Sequence, residues 1–466
     1  MLSPRQFERR LGATGAVSLL GLAVFFGALA YWQVFRSDLG TDPKNPRVVN
    51  ALEDPHRGRI LDRDGNVLAS SLADGSRHYT DASVAQVVGY LSSRYGSQGA
   101  ELAFNDLLSG KAGTSWQAAF DAEFRRSAVR GLDVRLTIDP NIQAVAAKAL
   151  GARKGAVVAL DPRNGEVLAM VSVPTYDPAA LNQNGEKLLT DPNSPLLNRA
   201  TQGRYPPGST FKMVTAASAF ENNVITPDTT VTCPGEIVVD GFPISCNNVP
   251  QGTGTYPFRN AFAYSVNAIF AQVGVTLGWD RLTATAEKFG FDSSLPFTLD
   301  TAPTQLHAPG SKLTKPLLAS TAFGQGELLA TPLQMAVVAA AIANEGVLAS
   351  PHLGYEALDG KSVVQKLDQP SNRRVIDTSV AHTLRDLMVA VVDDGQAAGT
   401  AIPGVKVAGK TGTAESGHGT SHAWFVAFAP AEKPVVVVAV IVENGGRGGE
   451  VASPIAGQIL RAALGK

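Results

Sequence analysis

An uncharged apolar run near the start of the chain constrains its architecture most strongly. No Asp, Glu, Lys or Arg occurs from Leu11 to Phe35. As a helix rising 1.5 Å per residue, the run would be about 37 Å long, enough to cross a hydrocarbon core of about 30 Å with some tilt. Arg5, Arg9 and Arg10 precede it. This charge bias predicts a cytoplasmic N-terminus and an exported remainder.

A cleaved signal peptide is the alternative interpretation, because Ala28-Leu29-Ala30 resembles a cleavage site. The apolar run is longer than the about 7–15 residues of a signal-peptide core, which favours an uncleaved anchor. Both interpretations export the rest of the chain. We therefore predict a cytoplasmic tail over residues 1–10, a transmembrane anchor over residues 11–35, and an extracytoplasmic protein beyond them.

The composition excludes several classes of protein. The 466 residues are 44% hydrophobic and 17% charged, which is globular and not disordered composition. A formal net charge of −1 gives no electrostatic case for a nucleic-acid partner. Two cysteines are too few for a framework of several disulfides. Cys233 and Cys246 also form no zinc-binding motif with the histidines, so no metal site is predicted. In an exported chain these thiols either pair or stay separately buried, and the sequence leaves both open.

The polar, interrupted stretch over residues 36–130 predicts a smaller N-terminal domain that serves as a spacer or docking unit. Within Arg57–Ala69, the turn residues Asp64-Gly65-Asn66 separate two apolar runs, which predicts a β-hairpin. We expect this hairpin to tie the N-terminal domain to the rest of the molecule. Glu101–Phe124 has the apolar spacing of a helix, with a break between Gly110 and Gly113.

Residues 131–466 predict a second, larger domain of the α/β (α+β) class. Apolar strands are expected at residues 155–161 and 166–172 and again at residues 423–429 and 435–442. Most of the chain between them has helical character. The pattern predicts one central antiparallel sheet, formed by distant segments and flanked by helices. The closing helix is expected over Ile455–Leu464.

The segment Tyr205–Phe220 places a serine three residues before a lysine at the start of an apolar helix. Residues three apart share a helix face, so the head groups of Ser209 and Lys212 are expected to meet. Free N–H groups at the helix start favour an oxyanion, and burial favours a neutral lysine amine. The pattern indicates a serine nucleophile with a lysine base. By itself, Ser-x-x-Lys also fits an ordinary helix with a serine N-cap.

Two more motifs follow in chain order, Ser265-Val266-Asn267 and Lys410-Thr411-Gly412-Thr413. Ser-x-x-Lys, Ser-x-Asn and Lys-Thr-Gly in this order are typical of penicillin-binding proteins and class A β-lactamases. The last motif precedes the terminal strand pair, which fits an edge strand that lines a cleft.

The chain resembles a class B penicillin-binding protein, a peptidoglycan D,D-transpeptidase, of the small actinobacterial-type subgroup. The resemblance covers nearly the whole length. It includes the Arg57–Arg63 stretch, Phe323-Gly324-Gln325-Gly326 and Trp424-Phe425. Ala427 departs from it, because relatives often carry glycine there, and we expect little consequence. The resemblance implies the fold of penicillin-binding and serine β-lactamase-like transpeptidases for residues 131–466. We find no glycosyltransferase region, which separates the chain from bifunctional class A relatives.

The resemblance also implies a role for each motif residue. Ser209 would attack the D-Ala-D-Ala bond of a stem peptide, Lys212 would be its base, and Ser265 would relay a proton to the leaving amine. Backbone N–H groups of Ser209 and Thr413 would bind the oxyanion. Asn267 would bind the peptide amide, Gly412 would let substrate approach the strand, and the remaining residues of the third motif would hold the carboxylate. These substrate-binding residues are Asn267, Lys410, Thr411, Gly412 and Thr413. No cofactor is implied.

The expected ligands are peptidoglycan stem peptides and β-lactams, and the expected location is the cell membrane. A polytopic glycosyltransferase or another elongation or division protein is the expected partner. Two alternatives keep the same serine. With water as acceptor, the chain would be a D,D-carboxypeptidase or would hydrolyse β-lactams; as a receptor, it would only sense them. The anchor and the large N-terminal domain disfavour a class A β-lactamase, and the short tail before the anchor disfavours a sensor.

Four residues beyond the third motif have no assigned role. We predict that Glu415, His418 and His422 are solvated loop residues rather than parts of the cleft rim. Trp424 is predicted to lie in the core rather than to serve as a substrate platform. The acceptor amino acid, and the choice between elongation, division and sporulation, stay open.

Overall fold

The computed structural model describes residues 20–25, 27, 28, 31, 56–111, 130–246, 253–367, 371–394, 396–415, 417 and 419–466. The predicted cytoplasmic tail and most of the predicted anchor, residues 11–35, lie outside them. Among the residues that are described, no helix has both the length and the apolar character that a membrane crossing needs. The part of the predicted Glu101–Phe124 helix that follows Lys111 also falls outside the described ranges.

Eight strands and five α-helices lie in the described ranges between residues 56 and 190. The strands are β1 Ile60–Leu61, β2 Val67–Ser71, β3 Arg77–Tyr79, β4 Tyr90–Ser92, β5 Gly96–Gln98, β6 Asp133–Leu136, β7 Gly155–Leu160 and β8 Val167–Val173. The helices are α1 Ala85–Val88, α2 Ala100–Ala103, α3 Asn105–Leu108, α4 Pro140–Leu150 and α5 Leu181–Thr190.

The described residues after Thr190 add eleven strands and eight α-helices. The strands are β9 Thr230–Cys233, β10 Glu236–Val239, β11 Phe242–Ser245, β12 Gly254–Pro257, β13 Val347–Ala349, β14 Gly354–Asp359, β15 Ser362–Lys366, β16 Asn372–Arg374, β17 Ala408–Ala414, β18 His422–Ala429 and β19 Val436–Val442. The helices are α6 Lys212–Glu221, α7 Phe258–Ala263, α8 Asn267–Leu277, α9 Trp279–Lys288, α10 Lys315–Ala322, α11 Pro332–Ala343, α12 Thr378–Asp393 and α13 Gly448–Ala463.

A five-stranded sheet in the order β17-β18-β19-β7-β8 forms the centre of the larger domain, and all of its pairs are antiparallel. Every residue of β7 and β19 is buried, because helices cover both faces of the sheet. Helices α4 and α13 pack together on the sheet, and the fully buried α11 also packs against it. The predicted central antiparallel sheet with flanking helices is confirmed, and β17 is its edge strand.

A second sheet joins the two halves of the chain. Its strand order is β15-β14-β6-β1-β2-β3. Strand β6 pairs in parallel with β1 on one side and antiparallel with β14 on the other. The hairpin β14–β15 therefore completes the sheet of the N-terminal domain from a position far along the sequence. The domain boundary at residues 130 and 131 stays a prediction, and the sheet pairs strands from both sides of it.

The hairpin predicted within Arg57–Ala69 is present as β1 and β2. A side-chain oxygen of Asp62 accepts hydrogen bonds from the backbone N–H groups of Asp64 and Asn66, both at 2.9 Å, which closes the turn. Arg63 then leaves the hairpin and pairs with Glu166 at 2.8 Å, just before β8. This ion pair ties the hairpin to the central sheet, as the sequence predicts.

A buried ion-pair cluster stabilises the N-terminal domain. Glu101 is fully buried and accepts hydrogen bonds from Arg57 and from Arg77, each with a shortest distance of 2.8 Å. Two guanidinium groups offset the cost of burying this carboxylate. Burial alone would raise the pKa of Glu101, but the charges and hydrogen bonds of the two arginines outweigh it and lower the pKa. The cluster holds α2 against the start of β1.

The last helix begins earlier than the sequence pattern indicates. Helix α13 starts at Gly448, not at Ile455, and includes Pro454. Two glycines and a proline hide this start from a propensity argument. The glycines are needed because a side chain at Gly448 would meet the carbonyl oxygens of Trp424 and Gly412. Because α13 starts at Gly448, its N-terminus lies against β17.

The two cysteines form a disulfide, which settles the alternative that the sequence leaves open. The Cα atoms of Cys233 and Cys246 lie 6.1 Å apart, inside the usual range for a bridged pair. The bond joins the end of β9 to the chain just after β11. These strands pack against α8. The bond therefore closes a small β module beside the helix that carries Asn267.

Candidate active site

Ser209 lies in a single 3-10 turn, Gly208–Phe211, that runs directly into α6. Gly208 has a φ of +54°, which favours glycine, and its N–H donates to the Gly324 carbonyl oxygen at 2.9 Å. A side chain at Gly324 would collide with the carbonyl of Gly208. The glycine of Phe323-Gly324-Gln325-Gly326 thus lets two backbones meet behind the serine.

Lys212 is completely buried at the start of α6. Its Nζ donates to the carbonyl oxygen of Ser265 at 2.7 Å and to Oδ1 of Asn267 at 2.6 Å, and it lies 3.1 Å from Oγ of Ser265. The nitrogen also lies 5.1 Å from the centre of the Phe270 ring. Lys212 and both polar residues of the Ser-x-Asn motif therefore meet in one cluster.

Ser265 occupies the position after the C-cap of α7, where helices commonly place glycine. The N–H of Val266 bonds to the carbonyl of Ala261 at 2.9 Å, and that of Ser265 to the carbonyl of Phe262 at 3.1 Å. This is a Schellman motif, and Ser265 has the left-handed φ of +62° that the motif requires. A non-glycine residue in this conformation costs free energy, so the strain at Ser265 is a structural cost of placing a hydroxyl here.

Lys410 approaches Ser265 from the edge strand β17. Its Nζ donates to Oγ of Ser265 at 3.0 Å and to the Thr411 carbonyl oxygen at 3.3 Å, and it lies 5.7 Å from the Phe262 ring centre. The hydroxyl of Ser265 thus lies between two lysine nitrogens. The structure brings together the lysine of the first motif, both polar residues of the second and the lysine of the third.

Burial lowers the pKa of both lysines. For Lys410, desolvation lowers the pKa to about 7. For Lys212, desolvation and then the nearby charge of Lys410 hold the pKa well below its usual value. A neutral Lys212 has two N–H groups, which the Ser265 carbonyl and the Asn267 amide oxygen accept, and one lone pair. That lone pair is available to accept a proton from a hydroxyl.

A cleft of about 500 Å³ lies over this cluster. Its wall includes five of the predicted residues, which are Ser209, Ser265, Asn267, Thr411 and Thr413. Lys212 and Lys410 lie behind this wall, fully buried. Ser209 is therefore exposed to the same space as the two side chains that Lys212 contacts. A direct contact between Ser209 and Lys212 stays a prediction.

Gly412 has a packing role that sequence reasoning missed. A side chain there would lie 2.9 Å from Cβ of Trp424 and 3.0 Å from the carbonyl oxygen of Pro207. The missing side chain therefore makes room for the nucleophile turn against β17. The predicted approach of substrate along the strand at Gly412 stays a prediction.

The structure corrects the interpretation of His422 and part of that of Glu415. Glu415 is an exposed residue just after β17, as predicted, but it also lines the cleft. His422 is the first residue of β18, is half-buried, and accepts a hydrogen bond from the Asn444 N–H at 3.0 Å. Burial lowers its pKa. His418 lies outside the described residues, and Trp424 is fully buried in the core, as predicted.

Sequence reasoning missed a further part of the wall. These residues are Gln396, Ser421, Arg447, Gly449 and Glu450. Arg447, Gly449 and Glu450 belong to the start of α13, which the pattern places too late. The pair of glycines before a periodic apolar segment was the available signal, because glycine at a helix start permits close backbone approach.

Known proteins are similar to this chain over most of its length. Residues 155–461 match the family model described as the penicillin binding protein transpeptidase domain. Residues 57–134 match the penicillin binding protein A dimerisation domain. The chain is 38% identical to the peptidoglycan D,D-transpeptidase PbpA of Mycolicibacterium smegmatis, over 96% of this chain and 98% of the relative.

Solved structures agree with the sequence matches. The structure of penicillin-binding protein A from M. tuberculosis as a ceftriaxone acyl-enzyme complex matches with a TM-score of 0.80 and 35% identity, over 89% of this chain and 100% of that one. The imipenem acyl-enzyme complex of the same protein matches with a TM-score of 0.79 and 36% identity, over 88% of this chain and 100% of that one. By its motifs, its fold and these matches, the chain belongs to the class B penicillin-binding proteins.

Proposed function

We propose that this protein is a peptidoglycan D,D-transpeptidase that cross-links stem peptides through an acyl-enzyme on Ser209 and is inhibited by β-lactams. One observation carries the assignment of the site. The hydroxyl of Ser265 lies 3.1 Å from the Lys212 nitrogen and 3.0 Å from the Lys410 nitrogen, on the wall of the cleft that Ser209 also lines. Two buried amines joined by one hydroxyl can accept, relay and return a proton beside a nucleophile.

In the acylation step, the oxygen of Ser209 attacks the carbonyl carbon of the D-Ala-D-Ala bond. Neutral Lys212 takes the serine proton. The C–N bond then breaks, and Ser265 relays the proton held by Lys212 to the nitrogen of the departing D-alanine, which leaves Lys212 neutral again. The Ser265 contacts with both lysines support this relay.

The substrate is held along the edge strand. Thr411, Thr413 and the charged form of Lys410 bind its carboxylate, and Asn267 binds a peptide amide. The N–H groups of Ser209 and Thr413 bind the oxyanion. The close approach of Gly208 to Thr413 supports this last assignment, because a Cβ on Gly208 would lie 3.0 Å from the Thr413 carbonyl oxygen.

The amine of a neighbouring stem peptide resolves the acyl-enzyme in a transpeptidase, whereas water does so in a carboxypeptidase or a β-lactamase. The two outcomes share Ser209. The similar proteins favour the amine, because they are named as peptidoglycan D,D-transpeptidases.

The catalytic domain lies outside the cytoplasmic membrane, held by an uncleaved anchor over residues 11–35 with the N-terminus in the cytoplasm. The disulfide between Cys233 and Cys246 supports an oxidising compartment. A polytopic glycosyltransferase or another elongation or division protein is the proposed partner, because a cross-linking enzyme acts on newly made glycan strands.

The test uses the full-length protein in detergent. After treatment with penicillin, mass spectrometry of proteolytic peptides should locate one adduct on Ser209, and Ser209→Ala should abolish it. Ser218→Ala is the matched control, because Ser218 is a buried serine of α6 whose hydroxyl donates to the Arg281 carbonyl at 3.0 Å. An adduct on any other residue would overturn the assignment.

A second measurement separates the acceptors. The acyl-enzyme formed with a stem peptide is offered an amine acceptor in water, and the products are separated by mass. Cross-linked dimer in excess over the hydrolysed peptide supports transpeptidation. Hydrolysed peptide alone would assign a carboxypeptidase instead.

A further inference from the structure

Glu443 joins several cationic and hydroxyl groups at the end of β19. Its Oε1 accepts a hydrogen bond from the Tyr205 hydroxyl at 2.8 Å and one from Nε of Arg199 at 2.7 Å, and Lys154 lies 3.4 Å from Oε2. The Glu443 side chain is 13% exposed and that of Arg199 is 1% exposed. A charge-assisted cluster with this degree of burial is held in one geometry.

Arg199 has no freedom to follow a moving carboxylate. Its two terminal nitrogens donate to the backbone carbonyl oxygens of Ser194 at 3.0 Å and of Asn193 at 2.6 Å. Burial acts to raise the pKa of Glu443, but hydrogen bonds from Tyr205 and Arg199 outweigh it and lower the pKa. The carboxylate therefore stays charged and fixed at neutral pH.

Tyr205 stands four residues before the nucleophile and fixes the chain that leads to it. Its backbone N–H and carbonyl both pair with Ala330, at 3.0 and 2.8 Å. Its ring packs edge-on to the rings of Trp424 and His422. The indole N–H of Trp424 donates to the Pro206 carbonyl oxygen at 3.0 Å.

The other side of Glu443 leads to another part of the cleft wall. The chain turns through Asn444, which has a left-handed φ of +53°, and reaches Arg447 at the start of α13. The N–H of Gly446 bonds to the Ser421 carbonyl oxygen at 2.9 Å. Ser421 and Arg447 both line the cleft. One carboxylate thus joins the segment that leads to Ser209 to the segment that carries Ser421 and Arg447 into the cleft wall.

We infer that Glu443 is a positioning residue for the acylation of Ser209: through the Tyr205 hydroxyl it holds the nucleophile turn at a fixed distance from the part of the cleft wall that contains Ser421 and Arg447. This inference rests on the proposed function, since it assumes that Ser209 is acylated. An error of about 1 Å in the placement of a nucleophile lowers a rate by about a hundredfold. Glu443 touches no substrate in this role and acts only through Tyr205.

The test compares Tyr205→Phe and Glu443→Gln with the wild-type protein in stopped-flow acylation by a fluorescent penicillin. Tyr205→Phe removes one hydroxyl and keeps the ring. Glu443→Gln keeps the shape and weakens both the tyrosine and the arginine contacts. Tyr176→Phe is the matched control, because Tyr176 is a buried tyrosine outside the cleft whose hydroxyl donates to the Ala85 carbonyl at 3.3 Å.

A positioning role predicts a limiting acylation rate at least about tenfold lower in both variants, with an unchanged half-saturating penicillin concentration. The number of sites that finally acylate per molecule should also be unchanged. That amplitude separates positioning from misfolding, because an unfolded fraction lowers the amplitude and leaves the rate of the folded fraction as it was. The control should match wild type in both quantities.

Each other outcome is decisive. A wild-type acylation rate in Tyr205→Phe would overturn the inference, and so would a lower amplitude at an unchanged rate. If the adduct forms on a residue other than Ser209, the proposed site fails. If Ser209 acylates but no stem peptide is cross-linked, the proposed reaction fails. The positioning role of Glu443 is then still decided by the acylation rates of the Tyr205→Phe and Glu443→Gln variants.

Discussion

Two buried lysines can lie beside the same serine hydroxyl only because the pKa of each amine is lowered. A permanently charged pair at this separation, removed from water, would repel and would lose its hydration. The structure resolves the conflict by lowering the pKa of each amine, with Lys410 at about 7. The same burial that makes the site costly to build makes Lys212 a base.

Lys212→Arg should lower the rate of acylation by a fluorescent penicillin about 10²–10⁴-fold, because a guanidinium stays charged and cannot accept the serine proton. Lys148→Arg is the control, since Lys148 is an exposed lysine of α4. An arginine variant that acylates as fast as the wild-type protein would exclude Lys212 as the base.

The folded protein should become more stable as the pH rises from about 7 toward 9. The folded pKa of Lys410 lies near 7, below its unfolded value, so the unfolded chain binds the additional proton in this interval. The free energy of unfolding therefore rises with pH in this interval, by up to about 1.4 kcal/mol per pH unit for one such proton. Below pH 7 the lysine is protonated in both states, so this pH dependence disappears. Urea unfolding at pH 7 and pH 9 measures it.

The variant Lys410→Met is the comparison for that measurement. It removes the titrating group and keeps much of the side-chain volume. Its free energy of unfolding should change less between pH 7 and pH 9 than that of the wild-type protein. Equal changes in the two proteins would mean that Lys410 carries the same proton in both states.

Ser265 gives a prediction that separates chemistry from backbone strain. Ser265→Gly and Ser265→Ala both delete the hydroxyl between the lysines, so both should acylate poorly. Only glycine removes the strain of the left-handed conformation. The free energy of unfolding of Ser265→Gly should therefore be about 1–2 kcal/mol higher than that of Ser265→Ala. Chemical denaturation measures the difference, and equal stabilities would show that φ at this position is not strained.

The geometry of the site depends on how closely the nucleophile turn, Gly208–Phe211, approaches strand β17. Gly412→Ala should destabilise the fold by about 1–3 kcal/mol and slow acylation, because the new methyl group presses on Trp424 and Pro207. Gly254→Ala is the control, since nothing lies within 4 Å of its added carbon. Thermal melting and penicillin binding measure the two effects. An alanine variant with wild-type values would show that the turn can shift without consequence.

The elements also show what sequence could predict. The three motifs and the terminal strand pair identified the edge strand and the residues around Ser265, because these features are local and their order is specific. The start of α13 was missed because Gly448, Gly449 and Pro454 all have low helix propensity. Packing against the carbonyl oxygens of Trp424 and Gly412 selects Gly448, and packing against that of Gln396 selects Gly449. No local sequence pattern indicates such contacts. Arg447 and the Glu443 cluster were hidden with that helix start.

The sheet of the N-terminal domain includes two strands that come from much later in the sequence. Strand β6 has β1 on one side and β14 on the other, and β14 and β15 come from the later half of the chain. Sequence patterns predicted the early hairpin but not this partner, because a pairing between strands so far apart leaves no local signal. Without β14, an edge of β6 would lie open to solvent.

A fragment of residues 56–138 should therefore fail to fold on its own. It should aggregate or exchange its amide protons rapidly, because it lacks the strand that covers β6. The same fragment joined by a short linker to residues 354–366 should show protected amides and a cooperative melt. A cooperative melt of the shorter fragment would show that the first strands suffice.

The shared sheet also sets a timetable for biosynthesis. Strands β1, β2, β3 and β6 are made long before β14 and β15, with the whole region from Pro140 to Leu353 in between. At about 5–20 residues per second, the ribosome needs roughly 10–40 s to make that region. For this interval the nascent chain carries an unfinished β-edge that could pair with another polypeptide. Cells that make this protein in quantity should thus need a factor that shields the emerging N-terminal segment until its late partner arrives.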